Sequence, residues 1–250
     1  MKKTVSIVMA LLMGVTAFAQ EFDAEFEEDV RNFDSYAIYH SADGKFSFDI
    51  LGHMGFGFSI VTTNDFKPWG SSEWFINAVD FSYRFTEKFA INAGIDFMWQ
   101  DISSSENIFL LDDAKHIRVD QGTAYVLDNY DYLTSSISSM GFGAPILLKG
   151  YFGKVTVGLG ACLQTNLWGS TSYQTEARHD SKDAYREALV YVKERKADVT
   201  PFTYSLLATL SYKEIFGLYF RYYPSKHAIV PQHTGSPQFG LMAVGLSLGF

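Results

Sequence analysis

The residues with the best claim to chemistry lie in polar stretches. His227, His233 and Ser236 fall between Pro224 and Pro237, and His179–Asp180 falls in an earlier charged segment. A serine nucleophile needs a base within hydrogen-bond reach and a third group that orients the base. Set at the rim of a membrane protein, such a trio would hydrolyse lipid acyl chains. The residue types are present, but no recognisable spacing joins them, and histidines in polar loops are ordinarily surface residues. No catalytic residue is assigned. Metal chemistry has less support still, because neither His-x-x-x-His nor Cys-x-x-Cys occurs and the one cysteine, Cys162, reads as a small buried residue. The glycines sit inside alternating segments rather than in a phosphate-cradling loop that opens a helix, so no metal ligand or cofactor is expected.

A second set of residues is defined by position. Asp49, His53, Asp80, Arg84, Asp96, Lys149 and Arg221 all lie on the small or polar side of segments whose other side is apolar. Those segments must be strands, because their periodicity is two. Residues 45–61 set Phe46, Phe48, Ile50, Met54, Phe56, Phe58 and Ile60 against Ser47, Asp49, His53, Gly55, Gly57 and Ser59. Residues 74–85 set Phe75, Val79, Phe81, Tyr83 and Phe85 against Ala78, Asp80, Ser82 and Arg84. Residues 88–100, 138–151, 154–167, 201–212 and 215–223 alternate likewise, and Pro145 within the fourth of the chain's strands predicts a bulge there. The last strand, 240–250, sets Met242, Val244, Leu246, Leu248 and Phe250 against small residues.

That makes eight strands. Tight turns follow the second, fourth and sixth; longer polar segments at 62–73, 101–136, 168–199 and 224–237 follow the others. The rule fits an eight-stranded antiparallel transmembrane β-barrel, an up-and-down meander with short periplasmic turns, long extracellular loops and both termini periplasmic. Aromatics near strand ends (Trp99, Tyr151, Trp168, Tyr212, Tyr222) fit its interface girdles. Within the long segments, 116–120 and 123–127 could pair as a small hairpin, and 183–196 could form a short helix.

Residues 1–19 read as a signal peptide, with Lys2 and Lys3 before an apolar run that ends Ala17-Phe18-Ala19. Its removal would take the net charge from -8 to -10. Residues 20–44 form an acidic periplasmic segment, with 20–41 read as a solvated leader, and 45–250 the barrel. The acidic balance opposes nucleic-acid binding. No later segment is long and apolar enough for a membrane helix.

The passage Gly143-Ala144-Pro145-Ile146-Leu147-Leu148-Lys149-Gly150-Tyr151-Phe152, followed by Lys154-Val155-Thr156-Val157-Gly158-Leu159-Gly160-Ala161-Cys162-Leu163, resembles small outer-membrane β-barrel proteins of the Bacteroidetes type, often labelled porin family. Arg221-Tyr222-Tyr223 and the Phe-terminated strand also fit. The resemblance implies the fold and the Gram-negative outer membrane, and no activity.

An eight-stranded lumen has room only for side chains. Buried charges there should pair, so the seven residues above are expected to form a plugging network, with a narrow ion path through them as the alternative. The expectation is a non-enzymatic surface or envelope protein. Its expected partners are outer-membrane lipid, the barrel-assembly machinery through Met242, Val244, Leu246, Leu248 and Phe250, and an extracellular ligand that the sequence does not identify. A narrow passive pore and a lipid-modifying hydrolase are the alternatives.

Overall fold

The computed structural model describes residues 39–61, 71–104, 109–111, 115–119, 130–177 and 191–249. The expected signal peptide, most of the acidic segment, His179–Asp180, residues 123–127 and Phe250 lie outside them.

Thirteen strands form, in chain order β1 (Tyr39–His40), β2 (Phe46–Ile50), β3 (Met54–Val61), β4 (Ser71–Thr86), β5 (Phe89–Ser104), β6 (Phe109–Leu111), β7 (Ile117–Val119), β8 (Tyr130–Phe152), β9 (Val155–Ala177), β10 (Tyr191–Lys196), β11 (Phe202–Tyr212), β12 (Phe216–Tyr223) and β13 (Leu241–Leu248). Eleven of them make one antiparallel sheet, and β6 pairs β7 in a separate two-stranded one. The large sheet is ring-like. Its pairings run β3–β13–β12–β11–β9–β8–β5–β4 and return from β4 to β3.

The expected count of eight is therefore corrected, and the reasons are local. The first long alternating segment is broken at Leu51–His53, where Leu51 takes a positive φ of 57°. The break leaves β2 paired to the lower half of β4 and β3 to its upper half. Tyr39–His40, expected in a solvated leader, pairs with Phe48 and Ser47. Its turn is tied by Ser41 Oγ, which donates to Asp43 Oδ1 at 2.6 Å and holds that exposed carboxyl below the usual range. Tyr191–Lys196, expected as helix, pairs with β9 instead. The small hairpin above the ring joins Ile117–Val119 to Phe109–Leu111 rather than to residues 123–127.

Alternation sets the two faces. His53, Ser59, Ala90, Asn92, Asp96, Met98, Gln100, Gln164, Leu207, Tyr219, Arg221 and Ala243 are buried inside the ring. Phe56, Phe58, Ile95, Ile146, Leu163, Leu206, Leu218, Val244 and Leu246 are exposed outside it. Strand β4 breaks the expected pattern. Its register against β5 shifts between Asn77 and Val79, so Ala78 is an extra residue on the outer side. A bulge reverses which parity faces in. Asp80 stays inside, but Phe75 is fully buried in the lumen instead of facing out, and Ala78 is exposed instead of facing in.

The bulge expected at Pro145 is also corrected. Pro145 pairs with Cys162 in the β9 ladder, and the register between β8 and β9 shifts elsewhere, at Leu167 of β9 opposite Met140–Gly141 and between Tyr130 and Tyr132 of β8. Toward β5 the pairing lapses opposite Ala144–Pro145 and resumes with the same register at Gly143. A proline without an N–H removes a ladder bond there, and no residue is added.

The turns at one end are short. Thr86 Oγ1 accepts the Phe89 N–H at 3.0 Å, Gly153 takes φ 64°, and Lys213 and Glu214 take φ 54° and 51°. At the other end, β5, β8 and β9 run on into segments expected as loops. At 23 residues each, β8 and β9 are about twice the 9–11 residues a tilted strand needs to cross a bilayer.

Candidate functional site

Buried side chains occupy the interior in layers, and the order of residues along β4 and β5 gives their sequence. Nearest the short turns, Lys149 is buried and interacts electrostatically with Glu214 and Asp80, while the half-buried Arg84 lies over the Tyr151 ring at 4.8 Å. Asp49 is half-buried and its Oδ1 accepts the Ile50 N–H at 2.7 Å, a local bond rather than a contact across the lumen.

The next layer is a histidine between two carboxylates. His53 Nδ1 is 3.2 Å from Asp80 Oδ2, and His53 Nε2 is 3.0 Å from Asp96 Oδ1. Only the first has hydrogen-bond alignment; the second is an ion-pair contact, and Asp96 Oδ1 also accepts from Asn77 Nδ2 at 3.0 Å. Asn77 stands at the bulge, and its Nδ2 also donates to the Val79 carbonyl at 2.9 Å while its Oδ1 accepts the Gly52 N–H at 3.1 Å. One side chain thus ties the β4 bulge to the break between β2 and β3.

Above this lies an apolar belt of Phe75, Met98, Leu147, Cys162, Leu207, Tyr219 and Ala243. Phe75 and Tyr219 meet edge to face at 5.1 Å between ring centroids. Room for Tyr219 comes from Gly57 and Gly245, which are partners across β3 and β13. A Cβ on Gly57 would collide with the Tyr219 hydroxyl and the Val244 carbonyl.

The third layer is the strongest polar cluster. Arg221 and Glu73 are both wholly buried, with Nε 3.3 Å from Oε1. That contact is an ion pair without hydrogen-bond alignment. Glu73 Oε2 accepts from Gln100 Nε2 at 2.7 Å and from the Tyr223 hydroxyl at 2.9 Å. Gln164 Nε2 donates to Asn166 Oδ1 at 2.7 Å, and Asn166 Nδ2 donates onward to the Thr200 carbonyl at 2.8 Å. The Arg221 guanidinium also lies 5.3 Å from the Phe75 ring centroid, with Nη1 3.2 Å from the Met98 sulfur. A cation so placed is held by charge, by a π face and by a polarizable sulfur.

The mouth at the long-loop end is closed by the segment after β12. Ala228, Ile229 and Val230 are fully buried against Val61, Ile102, Ile117, Ile137, Ala197, Tyr223, Phe239 and Leu241. The Thr200 N–H donates to the Ile229 carbonyl at 2.7 Å, and its hydroxyl donates to the His227 carbonyl at 2.7 Å.

Of the seven residues expected in the lumen, His53, Asp80 and Asp96 come together; Arg221 and Lys149 are buried in separate layers; Asp49 and Arg84 sit at the rim. The partner of Arg221 is Glu73, which sequence reasoning left in a loop. Parity alone would have misplaced it, because Glu73 lies in phase with Phe75, which the alternation of residues 74–85 sets outward. In β13, Val244, Leu246 and Leu248 are exposed and Met242 is half-buried on the outward side, against Leu241, Ala243 and Ser247 inside. Among the described residues considered for hydrolysis, Ser236 Oγ accepts from the His233 backbone N–H at 3.2 Å, and His233 Nδ1 bonds the Pro231 carbonyl at 2.8 Å, so neither bond joins the serine to an imidazole.

No known family model matches the chain, and no curated protein matches it. Among solved structures it is similar to the CymD monoaromatic hydrocarbon channel, with 14% identity over 92% of this chain and 72% of that one, at a TM-score of 0.30.

Proposed function

We propose that the chain is an integral outer-membrane β-barrel with a plugged lumen, non-enzymatic, whose long-loop end meets surface or envelope partners. One observation carries this reading: the ring is inside out relative to a water-soluble protein. Every strand around it exposes large apolar side chains outward, while Glu73, Asp96, Arg221, Gln100 and Gln164 are buried within. Exposed apolar patches on soluble monomers rarely exceed a few hundred Å². A girdle around the whole sheet fits a hydrocarbon environment. No helix among the described residues is long and apolar enough to cross a membrane.

Aromatic placement supports the same reading. Trp74, Trp99 and Trp168 line up across β4, β5 and β9, with Trp74 and Trp99 stacked at 5.7 Å and Trp99 6.2 Å from Trp168. Toward the short turns, Phe85 and Phe89 stack at 6.4 Å and Tyr83 and Tyr212 are exposed. Two aromatic levels bracketing an aliphatic band mark two membrane–water boundaries. The short turns would then be periplasmic, as in the porin-family proteins that the sequence resembles. Outer-membrane lipid and, through β13, the barrel-assembly machinery are the expected partners.

The filled layers and the Ile229 stopper favour a closed lumen over a narrow pore. The test is flotation with lipid vesicles followed by planar-bilayer recording. Vesicle association without single-channel steps is expected. Steady steps altered by Asp96→Asn would replace the plug with a pore, and failure to float would remove the membrane assignment. Lipid hydrolysis is tested alongside: fatty-acid release that His233→Ala abolishes would make the chain an enzyme.

A further inference from the structure

Past the upper aromatic level the sheet ends on one side of the ring and continues on the other. The β9–β11 ladder ends at Thr165–Phe202, and the ladders joining β12, β13 and β3 end at Tyr223, Leu241 and Val61. Strands β5, β8, β9 and β10 run on together as a wall. The outward face of that wall changes character within one step.

At its foot lie Trp74, Trp99 and Trp168, three of the chain's four tryptophans. Trp168 reaches the row through a defect. Gln164 and Asn166 are buried inside, so unbroken alternation would turn Trp168 inward as well. The extra residue at Leu167 resets the parity and sets Trp168 outside, opposite Met140 and 6.2 Å from Trp99. Bulges concentrate at barrel rims and beside functional sites, where they re-aim a side chain.

Two residues further along each strand, the outward row is Ser72, Asp101, Ser138 and Ser170, with the exposed Lys196 at its margin. Asp101 is half-buried, and its Oδ1 accepts from Ser138 Oγ at 2.7 Å. A carboxylate on the outward face is costly in hydrocarbon, so the lipid–water boundary falls between Trp99 and Asp101.

Trp99 and Asp101 stand about 7 Å apart along β5. A sugar ring spans that distance: its C–H face lies on the indole while its hydroxyls reach the carboxylate and the serines. A carboxylate only accepts hydrogen bonds, whereas serine hydroxyls both donate and accept, which matches a polyol. A phosphate would call for several cations, and this row offers one lysine beside a carboxylate.

We propose that this wall binds the sugar head of an outer-leaflet glycolipid, with Trp99 and Trp168 as the stacking platform and Asp101 and Ser138 as hydrogen-bond partners. The proposal rests on the outer-membrane reading above, which sets the tryptophan row at headgroup level. Below the row the wall is apolar, with Phe97 and Phe142 edge to face at 6.0 Å between centroids. Acyl chains would lie there, so the occupant is a lipid-linked sugar rather than a free one.

The test uses the mature chain in phosphatidylcholine vesicles, first shown to be inserted by its heat-dependent gel mobility. A failed membrane reading is thereby scored apart from glycolipid binding. Lipopolysaccharide is added to the vesicles in increasing amounts, and the quantity that stays with the barrel through detergent extraction and washing is measured. Phosphatidylglycerol at equal mole fraction serves as the comparison. Saturable retention of lipopolysaccharide, without retention of phosphatidylglycerol, is expected. Asp101→Asn and Trp99→Leu should each weaken it about tenfold, while Tyr222→Leu, on the opposite side of the ring, should leave it unchanged. Equal retention of the two lipids, or retention that survives both wall variants in inserted barrels, would overturn the assignment. Deacylated lipopolysaccharide bound as tightly as the intact lipid would overturn it too, by making the ligand a free saccharide.

Discussion

The lumen charges act as pairs, and Glu73–Arg221 is the pair whose loss should be felt most. Both side chains are fully buried. Removing one partner strands a charge, at a cost of about 3–5 kcal/mol, whereas replacing both by uncharged groups of similar volume is often nearly neutral. Glu73→Gln and Arg221→Met should each lower the urea midpoint of the refolded protein strongly, and the double variant should recover most of the loss. Additive losses in the double variant would show that the two charges do not share one site. The His53 layer was legible in the sequence because His53, Asp80 and Asp96 each fall on the polar side of an alternating segment, and the break at Leu51–His53 and the bulge at Ala78 leave them inside. Glu73 was not, because Pro68 and Gly70 precede it and the segment reads as a loop. Nothing within the segment showed that β4 begins at Ser71.

Alternation identified the elements but could not follow them through a defect. A period of two cannot register an inserted residue, so the extra Ala78 made Phe75 look lipid-facing when it is the ring that Arg221 and Tyr219 pack on. In the same way, residues 168–177 and 130–136 read as loops because they are polar on both faces, yet they continue β9 and β8. Within that extension the Ser136 and Ser172 hydroxyls, 2.6 Å apart, join the two strands. The turns were easier. Lys213 and Glu214 both take positive φ, which side chains other than Gly, Asn and Asp adopt at a cost, and two such residues mark a type I′ turn. Lys213→Asn should therefore stabilise the hairpin of β11 and β12 by about 1 kcal/mol, read as a raised urea midpoint, with Glu214 kept because it faces the buried Lys149; a lowered midpoint would show that the turn is held by the Lys213 side chain.

For the molecule as a whole, the two faces of the ring should respond oppositely to charge. Leu163 is exposed outward, midway along β9, and its neighbour Cys162 is buried in the apolar belt. Leu163→Arg should cost about 2–4 kcal/mol in lipid vesicles, falling toward about 0–1 for an arginine near the interface, as at Phe216. A water-soluble protein would tolerate both, because its outward positions already face solvent. The all-β, antiparallel, ring-like sheet was readable, though not its strand count, because apolar-out alternation and the short-long rhythm of connections survive local errors. The stopper formed by Ala228, Ile229 and Val230 was not, since three apolar residues between polar neighbours carry no periodic signal.

The most direct test of the proposed membrane barrel is gel mobility in SDS of the mature chain after incubation with lipid vesicles, with and without boiling. A closed barrel inserted in lipid is expected to resist SDS at room temperature and to change mobility on heating, the unheated band being lost in Leu163→Arg. One band at the same position in every lane, from protein that stays in solution without lipid or detergent, would contradict the account and make the apolar outer face something other than a lipid-facing one.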